Sequence, residues 1–308
     1  MKKAVLLSIV LILAFQLSAA DDDDADPGMT AKTFSGLELR SIGPAFMSGR
    51  IADIAIDPGH PSTWYVAVGS GGVWKTDNAG TTWRPIFDKE SSYSIGCVTL
   101  DPQHPEIVWV GTGENVGGRH VGFGDGVYKS LDGGSAWENM GLASSQHISK
   151  IIVDPHDSNT VYVASQGPLW SPGGDRGLYK TTDGGATWSN ILSAGEWTGV
   201  TDVVMDPRDS ATLYAATWQH HRTVAALIDG GPESGIHKTT DGGATWTKLE
   251  NGLPKGNMGK IGLAISPQKP DVLYAVIELD NRKGGTWRSA DRGASWKKMS
   301  DTVTGGTG

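Results

Sequence analysis

Five times along the chain a Ser or Thr, an Asp or Asn, a glycine and a tryptophan recur in one fixed order. That repetition limits the fold more than any other feature. The copies are Thr76–Trp83, Ser130–Trp137, Thr181–Trp188, Thr239–Trp246 and Ser289–Trp296. Their shared glycines, Gly80, Gly134, Gly185, Gly243 and Gly293, lie 54, 51, 58 and 50 residues apart. A period of that length means stacked supersecondary units, each burying a face against the next.

A second pattern keeps step with the first. An apolar run reaches Asp-Pro at 57, 101, 154 and 206, or Ser-Pro at 266, and a Val- and Ala-rich run holding Tyr65, Trp109, Tyr162, Tyr214 or Tyr274 follows. Such runs read as buried strands. The first unit is therefore expected to hold strands at 50–56, 64–68, 73–76 and 83–87, joined by a proline turn, a loop at 69–72 and the repeated turn. Four antiparallel strands per unit predict an all-β fold: a β-propeller with five blades visible, expected to be part of a larger propeller. Helical stretches are missing outside the first twenty residues, and 43 glycines and 12 tryptophans suit short strands and tight turns.

The repeated turn has a folding rationale. A Ser or Thr hydroxyl and the side chain of Asn78, Asp132, Asp183, Asp241 or Asp291 can bond backbone N–H groups of the turn. Gly80, Gly134, Gly185, Gly243 and Gly293 permit a positive φ. Trp83, Trp137, Trp188, Trp246 and Trp296 bury large rings between layers. These residues are expected to be structural rather than catalytic.

The ends read differently. Lys2 and Lys3, an apolar run at 4–17 and Ser18-Ala19-Ala20 suggest a signal peptide over 1–20. Asp21–Asp24 and Asp26 open an acidic spacer over 21–34, the propeller is expected over 35–300, and 301–308 is a glycine-rich tail or truncation point. The net charge of −8, more negative once the leader lysines are gone, argues against nucleic acid. Cys97 stands alone, so no intrachain disulfide is expected. The expected location is a bacterial envelope, secreted or periplasmic, with no membrane span after cleavage.

The turns resemble the Asp-box, or bacterial neuraminidase repeat, shared by sialidases, sortilin-type ectodomains, photosystem assembly propellers and xyloglucanases. Ser48–Ile51, Ser70–Thr76, Val110–Asn115 and Arg176–Thr181 look most like exported bacterial proteins known as sortilin N-terminal-like or glycosyl-hydrolase repeat proteins. The resemblance covers roughly residues 35 to 300 and implies further blades or domains downstream. The sialidase Arg-Ile-Pro signature is replaced by Arg50-Ile51-Ala52, which speaks against a sialidase. Ser70–Trp74 is similar to xyloglucanases, whose matching strand carries a catalytic Asp just before the Gly-Gly pair. This chain has Gly69-Ser70 there.

Propeller geometry places the loops between second and third strands, and those leading into first strands, on one face. Arg50, Arg119, Arg176, Arg222 and Arg282 fall there one per blade, beside Trp170, Trp218 and His220. Converging arginines would hold a carboxylate, phosphate or acidic sugar. The competing reading pairs them with Glu114, Asp125, Asp175, Glu278 and Asp280. Glu114 and Glu278 are the candidate carboxylates for glycoside hydrolysis, which needs two. His220-His221-Arg222 lacks a third ligand at metal-binding spacing, and no cofactor or metal is expected. These residues favour a non-catalytic propeller taking a peptide, protein or glycan. The alternative is a glycoside hydrolase acting on extracellular glycans.

Overall fold

The computed structural model describes Gly36 and residues 50–116, 121–280 and 283–300. The expected leader, acidic spacer and glycine-rich end, and the side chains of Arg119, His120, Asn281 and Arg282, lie outside the described residues.

Five four-stranded antiparallel sheets follow one another among the described residues. Blade 1 is β1 (Ile51–Ile56), β2 (Trp64–Val68), β3 (Gly72–Thr76) and β4 (Arg84–Pro85). Blade 2 is β5 (Ile95–Leu100), β6 (Val108–Thr112), β7 (Val127–Ser130) and β8 (Glu138–Asn139). Blade 3 is β9 (Ile148–Asp154), β10 (Asp157–Ser165), β11 (Gly177–Thr181) and β12 (Ser189–Leu192). Blade 4 is β13 (Thr198–Asp206), β14 (Asp209–Gln219), β17 (Gly235–Thr239) and β18 (Thr247–Leu249). It also carries a small ribbon of β15 (His221–Arg222) and β16 (Leu227–Ile228), which sequence reasoning left as loop. Blade 5 is β19 (Met258–Ile265), β20 (Leu273–Leu279), β21 (Gly285–Ser289) and β22 (Lys297–Lys298). The first strands are innermost: β1 packs on β5, β5 on β9, β9 on β13 and β13 on β19. No packing of comparable extent returns from β19 to β1. The fold is a partial β-propeller, as the repeats predict.

Each junction is a sandwich of two blades. Between blades 2 and 3, Cys97, Trp109 and Val127 meet Ile148, Ile151, Val161 and Val163, with Trp188 of the third turn at the margin. Trp109, Tyr162 and Tyr214 are fully buried, each contributing about 1.5–3 kcal/mol of burial. Burial pushes the Cys97 thiol up to about 12.

The repeated turn works through its hydroxyl. Thr239 Oγ1 accepts from the Gly243 amide at 3.1 Å and donates to Asp241 at 2.6 Å, while Asp241 accepts the Thr245 amide at 2.9 Å. Ser289, Asp291 and Ser295 repeat the pattern in the last copy. The tryptophan then reaches back one blade, Trp137 donating to the Ile86 carbonyl at 2.7 Å and Trp188 to Met140 at 2.8 Å. Trp83 instead stays exposed, edge-on to Trp64, and lies outside the outer strand, so β4 is shorter than the expected 83–87. Pro85, with no N–H, further limits its ladder.

A bulge interrupts all five inner pairings near the strand start, between Ile51 and Asp53, Ile95 and Cys97, Ile148 and Lys150, Val200 and Asp202, and Met258 and Ile261. A bulge turns the side-chain alternation by one residue. It frees polar residues such as Asp53 and Asp202 to face the axis while their neighbours stay in the core.

Candidate functional site

The bulged inner strands enclose an axial pocket of about 570 Å³. Asp53 comes from β1, Asn115 from the loop after β6, Lys150 from β9, Asp202 from β13, Lys260 from β19 and Glu278 from β20. Asp53, Lys150 and Asp202 share one register position, four residues before the Asp-Pro turn, and Gly262 holds that position in blade 5. Acidic and basic groups therefore come from different blades around one axis.

Two of these carboxylates also tie blades together. Asp202 accepts the amides of Val203 at 2.9 Å and, one blade on, Leu263 at 2.7 Å. Asp53 does the same with Ile54 at 2.9 Å and Val98 at 3.3 Å. Burial nonetheless pushes the Asp202 carboxyl up, opposed by the Leu263 amide and by Lys150.

At one end of the pocket the charges crowd. Lys260 lies 5.3 Å above the Trp218 ring and donates to the Asn115 carbonyl. Burial pulls its ammonium below the usual lysine range, against Glu278, Asp202 and Asp229. Burial raises the Glu278 carboxyl, and the nearby Asp229 raises it further. The Asp229 carboxyl is raised too, by desolvation, while Arg222 and Lys260 oppose the shift. The Gly231–Met258 bridge draws the segment bearing Asp229 onto β19. Asp229 also faces His220 Nε2 at 3.5 Å. His220 stacks flat on Trp218 at 3.8 Å, and burial, with Lys260 nearby, drops its imidazole to about 3. It is neutral at physiological pH. Two carboxyls raised together beside a cation, one of them lining the pocket, are what acid–base chemistry requires.

The expected arginine ring does not form among the described residues. Arg50 sends Nε to Glu114 Oε1 at 2.7 Å and closes an ion pair with the same oxygen. Arg176 is buried and donates to the carbonyls of Gln166, Pro168, Ser171 and Gly173. Gly167, Gly173 and Gly174, all at positive φ, curl the loop around its guanidinium. Arg222 sits half-buried on β15. Trp218 is buried beneath Lys260 rather than offered to solvent, whereas Trp170 is half-exposed. Glu114 is buried and separated from Glu278 in role: its Oε1 would lie 2.5 Å from any Cβ at Gly69. Its carboxylate thus fills the space a side chain at 69 would need. Asp125 pairs with Ser91 and Tyr128, and Asp175 accepts the Ser144 amide at 2.9 Å, so neither meets an arginine here. Among the described residues no group of His, Cys, Asp and Glu is arranged to hold a metal.

Sequence reasoning missed Asp53, Lys150, Asp202, Asp229 and Lys260. The signal for Asp53, Lys150 and Asp202 was their shared register before the proline turn, hidden because simple alternation does not anticipate a bulge.

Comparison with known proteins follows the same lines. The profile of the Sortilin, neurotensin receptor 3 family matches residues 178–306. A xyloglucanase of a Paenibacillus species is 23% identical over 330 residues, covering 87% of this chain and 31% of that protein. Xyloglucanase Xgh74A of Acetivibrio thermocellus is 26% identical over 263 residues, covering 75% and 30%. Among solved structures, an ancestral GH74 enzyme superposes with a TM-score of 0.62 at 20% identity, over 84% of this chain and 32% of that one. The GH74 enzyme of Niastella koreensis gives 0.60 at 19% identity, over 80% and 38%. The chain spans about a third of the length of the curated relatives it matches. The structural likeness shows a shared propeller fold. The curated relatives overturn the expectation of a non-catalytic propeller for peptides or proteins, since they are xyloglucanases.

Proposed function

We propose that this chain is part of a glycoside hydrolase of xyloglucanase type, exported to act on a glycan outside the cytoplasm, and that its repeated turn is the Asp-box. The raised carboxyls of Glu278, which lines the axial pocket, and of Asp229, whose charge acts on it, carry this reading. Glycoside hydrolysis uses one carboxylic acid to protonate the leaving oxygen and a second carboxylate as base or nucleophile. Glu278, whose carboxyl is pushed up by burial and by the negative charge of Asp229, takes the acid role. Asp229, more open to water, takes the other. Lys260 moderates both charges and, with the half-exposed Trp170 on the same face, offers polar and flat apolar contacts to sugar rings. The xyloglucanase relatives support a glycan as the ligand.

The test is release of reducing ends from xyloglucan by the whole chain, with oligosaccharide binding followed by calorimetry. Glu278→Gln is expected to lower release at least a hundredfold, roughly the general-acid contribution, while binding persists. A wild-type chain that neither binds nor cleaves, or a Glu278→Gln chain as active as wild type, overturns the assignment.

A further inference from the structure

The small ribbon on blade 4 sets two side chains of the site against each other. Its strands pair His221 with Ile228 and Arg222 with Leu227, and the Thr223 amide donates to the Ala226 carbonyl at 2.8 Å to close the turn. One residue outside the His221–Ile228 pair, the same antiparallel register brings His220 opposite Asp229. The Arg222 amide ties the ribbon to the Leu169 carbonyl of blade 3 at 2.9 Å, and the His220 amide donates to the Trp197 carbonyl at 3.0 Å. Trp197 also packs against the His221 ring at 4.2 Å. The ribbon is thus anchored by the third blade and by the loop entering the fourth.

Asp229 is approached at two points. The Trp218 indole Nε1 donates to its backbone carbonyl at 3.4 Å, and the His220 ring lies on that indole, 11° from parallel. Nε2 of the ring then stands 3.5 Å from Asp229 Oδ1. That nitrogen is buried and forms no hydrogen bond. The separation exceeds the roughly 2.7–3.2 Å of a formed bond, and hydrogen bonds in catalytic sites tighten when substrate arrives. A carboxylate within reach favours the tautomer that carries its proton on Nε2. Burial, then Lys260, His147, Arg176 and Arg222, keep the ring neutral by holding it at about 3. Arg222 on β15, Lys260 on β19 and Glu278 on β20 are the other charges that bear on Asp229.

We propose that His220 is the positioning residue of Asp229: its Nε2–H donates to Oδ1 and holds the carboxylate in one orientation, while Trp218 fixes the backbone behind it. What Asp229 then does rests on the hydrolase reading above; that His220 holds it does not. A neutral donor steadies a carboxylate without cancelling its charge.

Nitrogen-15 NMR of the full chain with labelled histidine reads the tautomer, and carboxyl-carbon NMR reads the Asp229 titration. At neutral pH the His220 ring is expected in the uncharged Nε2–H form. His220→Phe keeps a flat ring against Trp218 and loses the donor, so Asp229 should titrate about one pH unit higher. His220→Gln can restore an N–H and should recover at least half of that shift. Far-UV circular dichroism should match wild type in both. On xyloglucan, kcat should fall at least about tenfold in the phenylalanine variant with KM little changed. An Nδ1–H ring, an Asp229 titration unmoved by His220→Phe, a glutamine variant shifted as far as the phenylalanine one, or an unchanged kcat in an active chain overturns the proposal. A shifted titration in a chain whose wild type cleaves no xyloglucan upholds the grip on Asp229 and overturns the hydrolase reading instead.

Discussion

The Asp202 carboxylate accepts the Leu263 amide at 2.7 Å, fixing the innermost strand of the fourth blade to that of the fifth. Removing it strands an amide inside the ring wall, so Asp202→Ala is expected to lower unfolding free energy by about 1–3 kcal/mol. Asp202→Asn, which keeps an acceptor oxygen, should lose less. Urea unfolding followed by tryptophan fluorescence measures both, and equal losses would remove the hydrogen bond as the cause.

Arg176 is a structural cation. Its guanidinium serves four carbonyls of its own loop, and burial pulls it down to about 10. Arg176→Lys cannot span those acceptors with a single ammonium, and both Arg176→Lys and Arg176→Ala should cost about 2–4 kcal/mol. Chemical denaturation would detect this. A lysine variant as stable as wild type would show that the fork geometry is dispensable.

Buried histidines set the acid limit of the fold. Burial lowers His147 to about 4, with the Glu114 carbonyl opposing and Arg176 reinforcing. Burial, reinforced by Lys248, lowers His237 to about 4. An unfolded histidine titrates near 6.5, so between that pH and about 4 the unfolded chain binds more protons than the folded one. Stability is therefore full above 6.5 and declines as pH falls through the window, by up to about 1.4 kcal/mol per pH unit for each histidine. His237→Gln should flatten the decline. Urea midpoints collected from pH 7 to pH 4.5 would expose a pH-independent chain as a contradiction.

Lys260 tempers the acidic pair. Lys260→Met deletes a cation that acts on both Glu278 and Asp229, whose carboxyls are already raised by burial. Both should titrate higher still, detectable by carboxyl-carbon NMR titration. An unchanged pair would mean that the ammonium does not sense them.

Much of the blade was legible in advance. The strand β2 came out at Trp64–Val68 as read from its Val and Ala content, and the five turns mark the five sheets. The pocket was not legible, because bulges between Ile51 and Asp53 and between Val200 and Asp202 redirect side chains that alternation assigns elsewhere. Arg176 misled for a related reason. A charged residue in a loop reads as exposed, but three left-handed glycines wrap the loop around it. Glu278 was visible as a carboxylate. Its partner Asp229 was not, since it sits on a loop whose approach to β19 depends on the Gly231–Met258 bridge.

The Cys97 thiol, wedged between the second and third blades and held at about 12, cannot ionise or meet a reagent while those blades stay shut. Its modification rate in a native sample therefore counts the moments when that seam parts. One sulfur atom supplies an intrinsic gauge of how often the seam between the second and third blades opens.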